Sequence, residues 1–205
     1  MNSIKNYTRY LLLGLALLPL NLFAHSFDIA IIAAFGTDQG PSLWNGMRVA
    51  TRERDGHVYE TSDGHLGGVD SQLVRFDTAN ESDALLARLL KIGEVQGFII
   101  AVLMKADQEL LAQIPENIPY IAILVDGDAV NSNSNLLQPK QIQGNGRQIF
   151  QENYVDQYQR PPTEAALAGY TAARLIDAAI RQTDGDFTHS KAVQQAFMQS
   201  IQLLN

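Results

Sequence analysis

The chain has 205 residues, no cysteine, and 15 Lys and Arg against 22 Asp and Glu, a formal net charge of −7. It can therefore hold no disulfide and no lipid-modified N-terminal Cys. So acidic a balance argues against nucleic acid as a partner, because phosphates require clustered Lys and Arg, and against an anionic membrane surface.

Residues 1–24 read as a cleaved secretory signal. Lys5 and Arg9 form a short positive start, Leu11–Phe23 is an apolar core broken by Pro19 and Asn21, and Ala24 is the small residue before the cut. The apolar run is shorter than the roughly 20 residues a membrane span needs. An uncleaved anchor is the alternative, since Leu22 is bulky at the third position before the cut. Cleavage predicts a periplasmic chain with no membrane insertion, and 25–205 is a suitable length for one domain.

Three runs in the remainder are continuously apolar: Phe27–Phe35, Gly97–Met104 and Tyr120–Val125. Unbroken apolarity predicts strands covered on both faces, as in a parallel sheet. Ser71–Thr78 alternates, which predicts a strand nearer an edge. Helices are predicted between the strands. Pro41–Gly56 opens near Pro and stops at Gly. Glu81–Val95 puts Leu85, Leu86, Leu89 and Leu90 on one face behind an Asn80 cap with Asp83 three residues on. Lys105–Glu116 follows the third strand. Asn131–Gln148 reads as a polar connector. Thr163–Gln182 predicts an Ala-rich helix whose apolar face carries Ala166, Tyr170, Ala173, Leu175, Ile176 and Ile180. Asp184–Phe187 is a turn, and Thr188 caps a last helix, His189–Leu204. Strands alternating with helices predict an α/β fold with a doubly wound, mostly parallel sheet.

The chemistry-bearing residues are sparse. The chain has no G-x-S-x-G elbow, no phosphate loop and no G-x-G-x-x-G after a strand. No enzyme activity and no cofactor is expected. Gly36, Thr37 and Asp38 follow the first strand, where they offer backbone N–H groups to a ligand or simply turn the chain into a helix. Asp126 and Asp128 end a buried strand, the place where open α/β sheets hold ligands. With Asn131 and Asn133 they meet a cation or an amine, or they form a solvated Asx turn. Their spacing lacks the Gly and closing Glu of a calcium loop. Trp44 and Tyr170 either stack on a ligand or pack within the domain. His25, His57, His65 and His189 lack metal-ligand spacing and read as surface residues, so no metal is expected.

Two stretches, Phe27–Gly127 and Tyr154–Gln182, resemble the periplasmic solute-binding proteins of the Leu/Ile/Val-binding type that serve ABC importers. The order of strand, Gly-containing loop and helix around Gly46 and Ala50 is similar. So is GGVDSQLVRFDT (Gly67–Thr78). GYTAARLIDAAI (Gly169–Ile180) looks like the family's Gly-Tyr-Asp-Ala helix, which returns to the first lobe once the second is complete. The resemblance implies a single lobe of a type I periplasmic-binding fold. Residues 25–130 would be its first segment, 131–148 a connector in place of the second lobe, and 149–205 a helical return.

It also implies a small-molecule ligand and an ABC permease or other periplasmic partner. The ligand would be held among Gly36, Thr37, Asp38, Trp44, Met104, Asp126, Asp128 and Tyr170. Two departures argue against a branched-chain amino acid. The family's Gly-Pro-x-x-Ser stretch, whose hydroxyl and amides hold a carboxylate, reads Ala101, Val102, Leu103, Met104, Lys105 here. Its Ser, Ala and Thr loop reads Val125, Asp126, Gly127, Asp128. The alternative is a non-catalytic protein-interaction module or degenerate relic derived from such a protein. A face bared by the missing lobe, with Leu136 and Leu137 at its rim, would then be covered by a partner or by a homodimer.

Overall fold

The three unbroken apolar runs form the middle of one sheet in the computed structural model, which describes residues 26–53, 62–80, 82–126, 135–187 and 189–204. The strands are β1 (Phe27–Ala33), β2 (His65–Leu66), β3 (Val69–Asp77), β4 (Ile99–Leu103), β5 (Tyr120–Leu124) and β6 (Leu136–Leu137). They lie in the order β2-β3-β1-β4-β5-β6. All neighbours are parallel except the short β2–β3 hairpin. Among the described residues the α-helices are α1 (Gln39–Arg52), α2 (Ser82–Gln96), α3 (Gly144–Tyr158), α4 (Glu164–Gln182) and α5 (Ser190–Leu204).

Each central strand alternates between two cores. Ile29, Ile31, Ile100, Val102, Ile121 and Ile123 face one side, against α1, α4, α5 and part of α3. Ala30, Ile32, Ile99, Ala101, Leu103, Ala122 and Leu124 face the other, against α2 and the segment Lys105–Gln113. Burial on both faces is why these strands lack polar alternation. β3 does alternate. Phe76 is buried while Arg75 is exposed, because only the two residues of β2 lie beyond it. The α/β sheet is doubly wound, as the helical spacing predicts.

Helices α1 and α4 cross closely. A Cβ on Gly46 would lie 1.8 Å from the Ala166 carbonyl oxygen, and one on Gly169 would lie 2.2 Å from that of Leu43. Glycine is required there by contact, with no demand from the backbone dihedrals. Thr163 caps α4, its hydroxyl accepting the Ala166 N–H at 3.2 Å. Asp177, buried on the same helix, accepts the Gly67 N–H at 2.8 Å and pairs with Arg181 at 2.9 Å. That contact ties the β2–β3 turn to α4.

Four expectations change. The segment after β4 is a 3-10 helix, Lys105–Gln113, burying only Leu110 and Leu111 along its length. Helix α2 begins at Ser82, and Asn80 instead turns its amide to the Asp77 carbonyl at 3.0 Å. Leu136 and Leu137 are not a bare rim. They pair with Ala122 and Ile123 as β6, and Leu137 is buried. The connector expected to run to 148 gives way to α3 at Gly144, so a division at 148/149 falls inside a helix. The central strands, α4 and the turn at Asp184 and Gly185, both with positive φ, lie where the pattern places them. Thr188 lies outside the described residues.

Candidate functional site

The sheet order reverses direction at β1, which has β3 on one side and β4 on the other. Helix α1 leads from β1 to the β2–β3 hairpin over one face, and α2 leads from β3 to β4 over the opposite face. The connections therefore diverge at the C-terminal ends of β1 and β4, the position at which such sheets bind ligands. The loops after β1, β3, β4 and β5 all open onto that edge.

The loop after β1 is fixed from the end of β3. Asp77 accepts the Phe35 N–H at 3.1 Å and the Ala79 N–H at 3.3 Å, and it meets the Arg75 guanidinium at 2.6 Å. The Arg75 hydrogen bond is the main cause holding the Asp77 carboxyl below the usual range. The two backbone N–H bonds and the Arg75 charge add to it, against burial. Arg75 lies over the Phe35 ring, 4.3 Å from its centre. Phe35 in turn meets Trp44 at 6.1 Å and 73°, an edge-on contact. Thr37 closes the turn, with its N–H and its hydroxyl both donating to the Ala34 carbonyl. Gly36, Thr37 and Asp38 are exposed. Asp38 gives α1 no side-chain cap, and its carbonyl accepts the Ser42 N–H.

At the same edge, Asp126 accepts the Lys105 N–H and so staples the loop after β5 to the one after β4. Burial pushes the Asp107 carboxyl up. A hydrogen bond with Thr78 opposes this, and the Asp126 charge adds to it. Asp77, Asp107 and Asp126 thus bring three carboxyl groups to the same edge of the sheet.

The residues singled out from the sequence divide. Gly36, Thr37, Asp38, Trp44 and Asp126 lie at this edge. Met104 does not offer its side chain, which is buried in the core beneath α1 and α4. Tyr170 is elsewhere. Its ring packs 4.6 Å from Phe150, and its hydroxyl donates to Glu53 at 2.8 Å. Glu53 ends α1, whose 14 residues place it about 20 Å from the loop after β1. Tyr170 there belongs to a polar cluster with Arg174, 3.5 Å from Glu53, and Asn153, 3.0 Å from Glu53. Asp128, Asn131, Asn133, His25 and His57 lie outside the described residues. His65 pairs with Asp70 at 2.8 Å and His189 with Asp186 at 3.2 Å. Among the described residues no group of three or more His, Asp or Glu side chains is placed to hold a metal ion. None of their helices is long and apolar enough to cross a membrane.

Sequence reasoning missed Arg75 and Asp77. Residues two apart on a strand share a face, so an R-x-D pair at the end of a strand was the available signal.

No family model and no curated protein sequence matches the chain. Solved structures do. The solute-binding protein of an ABC transporter from R. palustris, in complex with benzoate, aligns over 84% of this chain and 85% of its own, with 10% identity and a TM-score of 0.53. An ABC transporter substrate-binding protein from Sphaerobacter thermophilus aligns over the same shares with 9% identity and a TM-score of 0.48. One from Desulfitobacterium hafniense, in complex with Leu, is 21% identical over 92% of this chain and 52% of its own, with a TM-score of 0.32. The class these observations define is one of fold: an α/β domain with a mostly parallel sheet, matching a lobe of an ABC-transporter solute-binding protein.

Proposed function

We propose that this chain is a periplasmic binding protein associated with an ABC-type import system, taking a small solute at the C-terminal edge of its sheet. One observation carries the reading. The fold is that of a solute-binding-protein lobe, and Phe35–Asp38, Lys105 and Asp126 follow the strand ends at its switch point, where such sheets bind ligands. In that arrangement a solute would meet the exposed loop Gly36–Asp38 and the Phe35 ring beside it.

The solute is not leucine, isoleucine or valine. A hydroxyl and glycine amides would have to hold an amino-acid carboxylate, and Met104 and Lys105 stand after β4 instead. A single lobe cannot close over its ligand, so burial falls short of the 70–90% typical of small-molecule sites and binding is weak. Residues 1–24 direct export and are removed.

The test uses the mature chain, His25 to Asn205. A thermal-shift screen against small metabolites, with benzoate included, should return at least one stabilising solute, since a ligand at 100 times its Kd adds about 2.7 kcal/mol. Calorimetric titration with leucine, isoleucine and valine should give no micromolar binding. N-terminal sequencing of the periplasmic fraction should read His-Ser-Phe-Asp. A screen with no stabilising solute at millimolar concentration would remove the transport reading. An intact N-terminus in the inner membrane would remove the exported one.

A further inference from the structure

The loop after β1 already receives a cation, and that cation belongs to the chain itself. The Arg75 guanidinium lies 4.3 Å from the centre of the Phe35 ring and 2.6 Å from the Asp77 carboxylate. An aromatic face beside a carboxylate is how proteins recognise guanidinium and ammonium groups, since the ring quadrupole and the anion attract the same charge. We infer that Phe35, Trp44 and Asp77 form a seat for the cationic end of a solute, a guanidinium or primary amine, which Arg75 fills when no solute is present. This rests on the reading that solutes bind at this edge of the sheet, and it adds the class of solute.

Three features separate this seat from an ordinary surface ion pair. The Arg75 side chain is 54% exposed and lies outside both packed cores. The seat does not depend on Arg75. Asp77 is anchored by the Phe35 and Ala79 N–H groups, and Phe35 by its edge contact with Trp44, so ring and carboxylate keep their places when the guanidinium leaves. The neighbouring charges also favour a cation. Asp107 and Asp126 stand at the adjoining strand ends and Asp38 in the same loop, against Lys105. Arg88 is engaged elsewhere, over the Phe76 ring on the opposite face of the sheet and donating to the Arg75 carbonyl at 3.3 Å.

Arg75 is then a specificity-determining residue. An entering cation must displace it, so its presence weakens every cationic solute by the fraction of time the seat is filled. Removing it should tighten binding without adding a contact.

The experiment titrates agmatine, which carries a guanidinium and an amine, and benzoate, an anion of similar size, into the mature chain by calorimetry. R75A should bind agmatine about ten-fold tighter than the parent if Arg75 fills the seat nine-tenths of the time. Adding F35L should abolish that gain, because Leu keeps the apolar bulk and lacks the ring. Benzoate should not gain. R75Q, which keeps much of the side-chain stem, repeats the measurement if R75A fails to give the parent circular-dichroism spectrum. Agmatine affinity unchanged or lowered in both Arg75 variants would overturn the inference, as would a benzoate affinity that falls with the loss of Arg75. The second outcome would make Arg75 an anion holder and leave the solute-binding reading intact. A parent chain that binds some solute in the broad screen while neither variant takes agmatine sinks the cation seat alone.

Discussion

Replacing Gly46 by Ala sets two effects of opposite sign against each other. Gly46 sits inside α1, and a helix-interior Gly→Ala change favours the folded state by about 0.8–1.0 kcal/mol on propensity alone. The new methyl, however, would lie 1.8 Å from the Ala166 carbonyl oxygen and 2.9 Å from its Cα, and both belong to backbone. An ordinary carbon–oxygen contact is about 3.3 Å, so the helices would have to part by roughly 1.5 Å. Neither partner is a flexible side chain that could turn away. Separating α1 from α4 also loosens Leu43, Met47, Leu167 and Ala173, which are packed in the same core. Overpacking of this kind costs about 1–3 kcal/mol and here falls at or above the upper end, giving a net loss of about 2 kcal/mol or more. Urea unfolding followed by circular dichroism should show a lower midpoint with an unchanged slope. G169A should behave alike, since its methyl would meet the Leu43 carbonyl at 2.2 Å. The double variant should cost less than the sum, because one separation of the helices relieves both contacts. A midpoint for G46A equal to or above the parent's would show that the crossing is looser than 1.8 Å implies and that propensity decides.

Three further outcomes follow from the packing. D177N should destabilise by about 1–3 kcal/mol at neutral pH, because it weakens buried bonds to the Gly67 N–H and to Arg181. Burial alone would raise the Asp177 carboxyl, but the Arg181 and Gly67 bonds and the charges of Arg181 and Arg174 outweigh it and hold it low. Its folded value lies below its unfolded one, so its stabilisation is complete above the unfolded value of 3.8 and fades as pH falls through the folded value. Urea midpoints measured down an acid series should therefore converge for parent and D177N at the acid end. I100D should cost about 4–5 kcal/mol or more by placing a charge between two covered faces of the sheet, and an unchanged urea midpoint would contradict β4's central place. T163A removes the hydroxyl that accepts the Ala166 N–H and should lower stability by about 1 kcal/mol in the same assay.

What could be read from the sequence follows from how strongly each element is buried. β1, β4 and β5 are covered on both faces, so their apolar runs are unbroken and unambiguous. α4 buries most of its length against α1, and its Ala and Gly residues announce a close crossing. α3 carries no helical period of its own, because Phe150 and Tyr154 alone among its residues are buried. β6 has two residues, and its register comes from β5, which no local pattern can encode. The placement of the loop after β1 and of Asp126 at the C-terminal edge of the sheet is legible, because each follows an unbroken apolar strand. Arg75 is not, because an exposed residue in an alternating strand looks the same whether it faces empty solvent or lies over an aromatic ring. Tyr170 misled for the converse reason. Its position in the helix is what the pattern predicts, but its hydroxyl found Glu53, 117 residues earlier in the chain, rather than the strand ends.

The close crossing of α1 and α4 also sets an order on folding. Gly46 meets Ala166 and Leu43 meets Gly169, so the contact that seals one face of the sheet joins residues more than a hundred positions apart. A nascent chain that ended near residue 160 could pair β1, β3, β4 and β5 and cover one side with α2. The side carrying Ile29, Ile31, Ile100, Val102, Ile121 and Ile123 would still lack α4 and α5. Such long-range closure is slow, because the entropy of bringing distant segments together is spent before their contacts form. Until the segment from Glu164 onward has emerged, that face stays uncovered, and an uncovered apolar face is what chaperones and proteases engage.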